Sequence, residues 1–231
     1  MFWLFVMEIC VFDINSTDLN LPFSQSRPGD VPAARSSGVF RRCKRAFDIC
    51  FSLLLLPVLG LAALSLVVLN PLANPGNIIF SQIRMGRGCK PFVAYKFRSM
   101  TAVTRMRRGA DDPLETDRIT RLGRVIRKFR IDELPQIINV LKGDMSLIGP
   151  RPDYIHHARK YLRDVPGYRH RHAVRPGISG LAQTEVGYIH GIEALAKKVR
   201  ADIYYINNSG FSLELWIFWR TLITVFGRQG E

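Results

Sequence analysis

Acidic residues are scarce in this chain: 19 Asp and Glu stand against 33 Lys and Arg, a formal charge of +14. That imbalance points to an anionic partner, whether nucleic acid, an anionic membrane face or a phosphorylated substrate. Cysteine is scarce too. Cys10, Cys43, Cys50 and Cys89 form no CxxC pair and no Cys/His ligand spacing, so neither a zinc site nor a disulfide framework is indicated, and a reducing compartment is the default. The apolar start, residues 1–12, lacks a basic flank and a small-residue cleavage site and carries Glu8, so it does not read as a signal peptide. Long stretches free of helix breakers are also missing. With 13 Pro and 18 Gly, the chain predicts no long uninterrupted helices.

What is present is apolar and clustered. Hydrophobic residues make up 47% of the 231, enough for one sizeable core, and they concentrate in residues 46–70, where Asp48 is the single charge. About 25 such residues can span a bilayer as a helix. Arg41, Arg42, Lys44 and Arg45 precede the block and Arg84, Arg87 and Lys90 follow it, which places both flanks on the cytoplasmic face by the positive-inside rule. Pro57 lies mid-block, so the economical solution is a hairpin that enters and leaves by one face, with Ser52 and Ser65 available to satisfy freed carbonyls. An ordinary bitopic helix is the alternative. Residues 15–38, rich in Ser, Pro, Asp and Asn, read as a linker within a poorly ordered extension over residues 1–39. Near the other end, residues 211–227 carry Trp216 and Trp219 with Glu214 and Arg220 interspersed, which suits an interfacial helix, a core helix being the alternative.

Between these lie the chemical motifs. Residues 77–100 alternate and are punctuated by Gly86 and Gly88, which predicts a β-hairpin with Ile79, Val93, Tyr95 and Phe97 toward the core. Gln82, Arg84, Lys96 and Arg98 would then project toward an anionic ligand, although solvated strand charges are the commoner explanation at any one position. Residues 101–116 read as a polar loop. From Asp117, the apolar spacing of Ile119, Leu122, Val125, Ile126 and Phe129 predicts a helix with a basic face that includes Arg127. The segment IDELPQIINVLKGDMSLIGPRP follows, with Asp132 at an expected N-cap, Pro135 in the first turn, an apolar face of Leu134, Ile137, Ile138 and Leu141, and Gly143 as terminator. Asp132 and Glu133 thus form an acidic spot in a basic field of Arg127, Lys128, Arg130, Lys142 and Arg151. A carboxylate there can attack a polyphosphate, or hold a divalent metal against it, while the cations keep it ionised; a purely structural cap is the simpler alternative. Oxygen donors without a His/Cys cluster favour Mg²⁺ over zinc. The turn Gly149–Pro152 would set Arg151 on a rigid base for bidentate phosphate contact.

Five blocks in order resemble the bacterial sugar transferases, the monotopic phosphoglycosyl transferases: KRAFD at 44–48, KFRSM at 96–100, the acidic segment at 131–152, RPGISGLAQ at 175–183, and D-x-x-Y-x-x-N at 202–208. The resemblance covers residues 40–227. It implies an α+β, mostly helical, cytoplasmic catalytic domain over 74–231 with a small β-hairpin, a re-entrant membrane helix over 40–73 broken at Pro57, and interfacial amphipathic helices. It further implies that Asp132 attacks the β-phosphate of a UDP-sugar, expels UMP and passes the sugar phosphate to polyprenyl (undecaprenyl) phosphate at the bacterial inner membrane. Glu133, with Asp132, would hold Mg²⁺. Arg127 and Arg151 match family positions near the phosphates, Lys96, Arg98, Arg175, Gln183 and Asp202 fall in blocks implied to bind substrate, and Lys44 and Arg45 would meet lipid headgroups.

Three departures stand out. Arg130-Ile131 precede the acidic pair where many members have Ser-Leu or Ser-Ile, Leu56 replaces a Ser frequent before the breaking proline, and residues 184–188 read TEVGY in place of an Asn-Gly-Arg or Ser-Gly-Arg triplet. The last leaves the sugar open, as the sequence leaves open whether copies of the chain form a homo-oligomer. A nucleic-acid-binding protein is a rival, motivated by the net charge and the RHRH run at 169–172, but no interleaved aromatic and basic surface motif supports it. An inactive membrane scaffold is the other.

Overall fold

The computed structural model describes residues 36–101, 115–185 and 192–226. The extension before residue 36, most of the loop at 101–116 and most of the divergent 184–188 segment lie outside them. The chain is mostly helical with two small sheets. Helix α1, Gly38–Ala73, is capped by Ser37, whose hydroxyl accepts from Phe40 N at 3.1 Å, and its 36 residues extend about 54 Å at the α-helical rise. It is long and apolar enough to cross a membrane. Both Pro57 and Pro71 lie inside it, which corrects the expectation that no long helix forms; the helical segment runs on through Pro57. A proline removes one backbone bond and leaves the rest of the ladder, and beyond it Leu59, Ala62, Ala63 and Leu66 lie against Phe97 and Ile126, while most of the apolar run is exposed. Ser65 donates to Leu61 O and the Ser52 hydroxyl is buried without a partner, so neither supplies the carbonyl of Leu53 that Pro57 leaves free.

Both ends of α1 are tied to the same globular body. Near its start, the buried Asp48 carboxylate accepts from Ser146 Oγ at 2.8 Å and Leu147 N at 3.1 Å. Near its end, Asn70 donates to Gly76 O at 2.6 Å and Asn74 to Arg98 O at 2.8 Å.

Strands β1, Ile79–Met85, and β2, Pro91–Phe97, form the expected antiparallel hairpin, with Ile83 opposite Val93. Met85, Ala94 and Phe97 are buried, whereas Ile79 and Val93, expected in the core, are 46% and 41% exposed. A two-stranded sheet has no second layer on its far side, so part of its apolar surface stays uncovered. Asn139 secures β2 by accepting from Tyr95 N at 3.1 Å and donating to Val93 O at 2.6 Å, an amide standing in for a third strand.

Helix α2, Arg121–Lys128, starts where the Thr120 hydroxyl caps Gly123 N at 2.9 Å. It is shorter than the periodicity from Asp117 suggested, because residues 116–118 form a separate 3₁₀ turn, and Val125 is exposed while Ile126 is buried. A second 3₁₀ turn, Ile131–Glu133, leads into α3, Gln136–Lys142, which ends on Gly143 at φ 91°. The buried side of α3 is Gln136, Ile137, Asn139 and Val140; Ile138 is exposed. Strand β3, Ser146–Ile148, then pairs in parallel with β4, Gly177–Ser179, across helix α4, Ile155–Asp164, and the 3₁₀ segment Tyr168–Ala173. Helices α5, Leu181–Glu185, α6, Ile192–Asn208, and α7, Phe211–Phe226, complete the body. Helix α7 has a buried side and an exposed apolar side. Leu213 and Ile217 join Ile148, Leu181, Tyr205 and Ile206 in a core cluster, while Phe211, Leu215, Trp219 and Ile223 form an exposed stripe at four-residue spacing.

Three glycines let β3, its following turn and β4 meet backbone to backbone. A Cβ on Gly177 would lie 2.1 Å from Gly149 N, and one on Gly180 would lie 2.2 Å from Gly149 O. Because the obstructing atoms are main chain, Gly177→Ala is expected to lower unfolding stability by about 1–3 kcal/mol, read by thermal unfolding of the detergent-solubilised protein. An unchanged melting temperature would show that the two segments can separate freely.

Candidate active site

The acidic pair sits on a turn with distinctive geometry. Arg130 adopts the left-handed conformation at φ 54° and reverses the chain after α2, and Glu133 N and Leu134 N then bond back to Arg130 O and Ile131 O at 3.1 Å each. Asp132 therefore lies within a helical turn and does not cap α3, whose N-cap position is Pro135. That corrects the capping expectation, and it leaves the Asp132 carboxylate available to face the cations. Both acids are largely buried, at 8% and 6% exposed.

Those cations come from three segments. Glu133 receives Lys96 Nζ of β2 at 2.7 Å, Arg151 Nη2 of the turn after β3 at 2.5 Å and, farther off at 3.8 Å, Arg130. Asp132 lies 3.9 Å from Lys96 and in the fields of Arg127 and Arg151. The result is one carboxylate saturated by positive charge beside another that is only approached by it.

A profile of the bacterial sugar transferases matches residues 39–228. The chain belongs to that family. It is 43% identical over 197 residues to the UDP-N-acetylgalactosamine-undecaprenyl-phosphate N-acetylgalactosaminephosphotransferase of Aeromonas hydrophila, covering 84% of this chain and 46% of that protein. It is 36% identical over 192 residues to the UDP-glucose:undecaprenyl-phosphate glucose-1-phosphate transferase of Escherichia coli K12, covering 82% and 40%. The exopolysaccharide production protein PSS of Rhizobium leguminosarum bv. phaseoli is 39% identical over 192 residues, covering 80% and 96%. This sugar transferase thus spans under half the length of the first two relatives and nearly all of the third.

Of the residues expected to bind substrate, Lys96, Arg127 and Arg151 gather at the acidic pair of the sugar transferase. Others are engaged elsewhere. Arg98 wraps the turn after α1, donating to Asn74 O and packing against Gly76. Arg175 donates to Gly143 O at 2.8 Å, and Arg45, expected at lipid headgroups, donates to Val140 O and Leu141 O at 2.7 and 3.2 Å, so both guanidiniums serve the carbonyl end of α3. Lys44 is paired with Glu214 of α7 at 2.6 Å. Gln183 donates to Ile178 O at 3.3 Å. Asp202, 1% exposed, is bound to Arg171. For the basic residues the cause is shared, in that a main-chain carbonyl or carboxylate needs a donor and a nearby basic side chain supplies it. The RHRH run is not an exposed basic surface: Arg171 and His172 are buried, and burial beside Arg171 lowers His172 to about 3, so it is neutral. Sequence reasoning missed Asp153, which follows the Gly149–Pro152 turn directly, and the structural duties of Asp48 and Arg171.

Burial pushes the Asp132 carboxyl above the usual aspartate range, and Lys96 offsets only part of that. Glu133 is buried as well, but the charges and hydrogen bonds of Arg151 and Lys96 outweigh burial and hold it well below the usual glutamate range. Burial also pulls the Lys96 ammonium down against the attraction of Glu133. Linkage gives the two acids opposite signs. Asp132 binds its proton more tightly folded than unfolded, so its contribution to stability falls as pH rises from the usual carboxylate range through its raised pKa. Glu133 contributes fully above that range and loses its contribution as pH drops through its depressed pKa. At neutral pH, Asp132→Asn is expected to raise the melting temperature, with the gain disappearing on acidification. Glu133→Gln is expected to cost about 3 kcal/mol by leaving buried cations unpaired. Melting curves of both variants from about pH 4 to about pH 8 check the signs; shifts in the same direction for both would contradict them.

Proposed function

We propose that this chain transfers a sugar 1-phosphate from a UDP-sugar to polyprenyl (undecaprenyl) phosphate, releasing UMP, and so starts assembly of an exopolysaccharide, O-antigen or related glycan. The observation that carries the reading is the unequal treatment of the two acids: Glu133 is saturated by Lys96 and Arg151, while Asp132 lies beside the same cations with Lys96 at 3.9 Å. Glu133 then stations the cations, and Asp132 is the nucleophile. An Asp132 oxygen attacks the β-phosphorus, the bond from that phosphorus to the bridging oxygen breaks, and UMP leaves with the oxygen and its electron pair. A polyprenyl phosphate oxygen next attacks the aspartyl-bound phosphorus, which frees the Asp132 carboxylate and yields the sugar diphospholipid. Lys96, Arg127 and Arg151 offset the negative charge that brings two anions together. The relatives' names support both substrates.

The site's donors suit Mg²⁺, since both are carboxylates and, among the described residues, no group of three His, Cys, Asp or Glu gathers to complete a protein-only site. Asp132 and Glu133 would hold the ion together with substrate phosphate, where it would offset charge on the diphosphate. Because Glu133 already has cationic partners, the ion is expected with the nucleotide-sugar, not ahead of it.

The reading extends to membrane placement through α1. Its start is tied through Lys44, Arg45 and Asp48 and its end through Asn70 and Asn74 to one body. That supports entry and exit by the cytoplasmic face of the bacterial inner membrane, with the exposed stripe of α7 at the interface.

Asp132→Asn should abolish both UMP release and a covalent sugar-phosphate adduct, measured with a panel of UDP-sugars and polyprenyl phosphate in nanodiscs, because an amide is no nucleophile. Retained activity in that variant would sink the covalent mechanism. Labelling of intact cells should leave tags at Met1 and Glu231 both protected, and an externally labelled Met1 would establish a crossing helix instead.

A further inference from the structure

Arg151 is gripped at both ends. Its head meets Glu133, and its main-chain carbonyl accepts from Arg171 Nη2 at 2.7 Å. The neighbouring residues are held as firmly: Arg84 donates to Pro152 O at 2.8 Å, and Met85 N to Asp153 O at 3.1 Å. Arg171 is itself 2% exposed and locked. Its Nε and Nη2 reach Asp202 Oδ2 at 2.9 and 2.8 Å, its Nη1 reaches Asp153, and the Tyr168 ring lies 5.0 Å from its guanidinium carbon. Asp153 also accepts from Lys198 at 2.8 Å and from the Tyr168 hydroxyl at 2.7 Å.

We propose that Arg171 is a positioning residue for Arg151, fixing the carbonyl of that residue so that its guanidinium arrives at the transferred phosphate in one orientation. The inference rests on the phosphate-transfer reading above. Two cations, Arg171 and Lys198, balance two anions, Asp153 and Asp202, so the cluster carries no net charge into the interior. Burying four charges is a poor route to stability alone, since apolar packing of the same volume serves as well or better. What apolar packing cannot supply is a planar group with five donors, able to bind carboxylates on two edges and still donate to a carbonyl. Lysine, with one tetrahedral ammonium, cannot make all of these contacts. Asp202, in a block implied to bind substrate, thereby acts two steps away through Arg171. When a diphosphate takes the head of Arg151 from Glu133, the main-chain anchor stays in place, so little reorganisation accompanies the reaction.

The test is a double-mutant cycle on kcat/KM for UMP release by the full chain in nanodiscs, using Arg171→Lys, Arg151→Ala and both together. Misplacing Arg151 by about 1 Å is expected to lower kcat/KM roughly 10- to 100-fold in Arg171→Lys. The same change in the Arg151→Ala background should then cost less than about 3-fold, because the group it positions is gone. Equal losses in both backgrounds, or full activity of Arg171→Lys, would overturn the proposal. Should Arg171→Lys fail to fold, Tyr168→Phe removes one hydroxyl from the cluster, and its smaller loss must likewise vanish without Arg151; persistence of that loss overturns the proposal too. Amide exchange at Met85 and Gly177, whose N–H groups donate to Asp153 O and Pro150 O of this turn, gives a readout independent of turnover. It should accelerate in Arg171→Lys, or in Tyr168→Phe, while exchange in α6 is unchanged, and unchanged exchange at both sites would overturn the proposal. Wild-type protein inactive with every UDP-sugar would refute the phosphate-transfer reading, leaving the exchange measurement to decide the anchoring by itself.

Discussion

The buried Glu133 carboxylate receives Lys96 from β2, Arg151 from the turn after β3 and, at longer range, Arg130 from the turn that carries the acid itself. No two of these positions are close in sequence except the last. Without the carboxylate, Lys96 and Arg151 would repel one another across a poorly solvated space, and the hairpin would have no electrostatic reason to face the turn after β3. With it, the segments converge and leave Asp132 at the edge of a preassembled cationic cluster. The anion that draws the cations together is thus separate from the one they only approach.

Backing for this arrangement comes from main-chain contacts that admit no substitute side chains. Gly149, Gly177 and Gly180 bring β3 and β4 within touching distance of the turn that bears Arg151, and Arg171 ties down the far side of that turn. Gly123 does the same for α2, since a Cβ there would lie 1.9 Å from the Ser99 carbonyl oxygen at the end of the hairpin. Close backbone approach leaves few degrees of freedom, so the cations are aimed before any ligand arrives.

Helix α1 is joined to this body by polar groups where a membrane element would be expected to offer only apolar ones. Asp48, the one charge in its apolar run, is spent on Ser146 and Leu147 at β3. Arg45 reaches the carbonyl end of α3, the helix that follows the acidic pair, so the long apolar helix and the acidic turn are joined through one short connection. Its exposed leucines and valines, with the stripe on α7, give the molecule an apolar surface next to its most basic interior.

Local chemistry was legible in the sequence because it depends on neighbours in the chain. The β-hairpin, the apolar segment, the termination of α3 at Gly143 and the acidic pair in a basic field all follow from spacing, propensity and composition over a few residues. Arg127 and Arg151 were also named in the basic field around Asp132 and Glu133, whereas Lys96 was placed only on the hairpin. Tertiary structure alone decided which basic residues gather at the acidic pair and which bond elsewhere in the protein. Arg45, Arg98, Arg171 and Arg175 are all arginines in blocks rich in positive charge, yet each ends on a carbonyl or carboxylate distant in sequence. The packing of Leu59 to Leu66 against Phe97 and Ile126 was likewise invisible in the spacing of the apolar run. A buried acceptor must find a donor wherever the fold brings one, and that demand is set by three-dimensional proximity, which residue spacing does not encode.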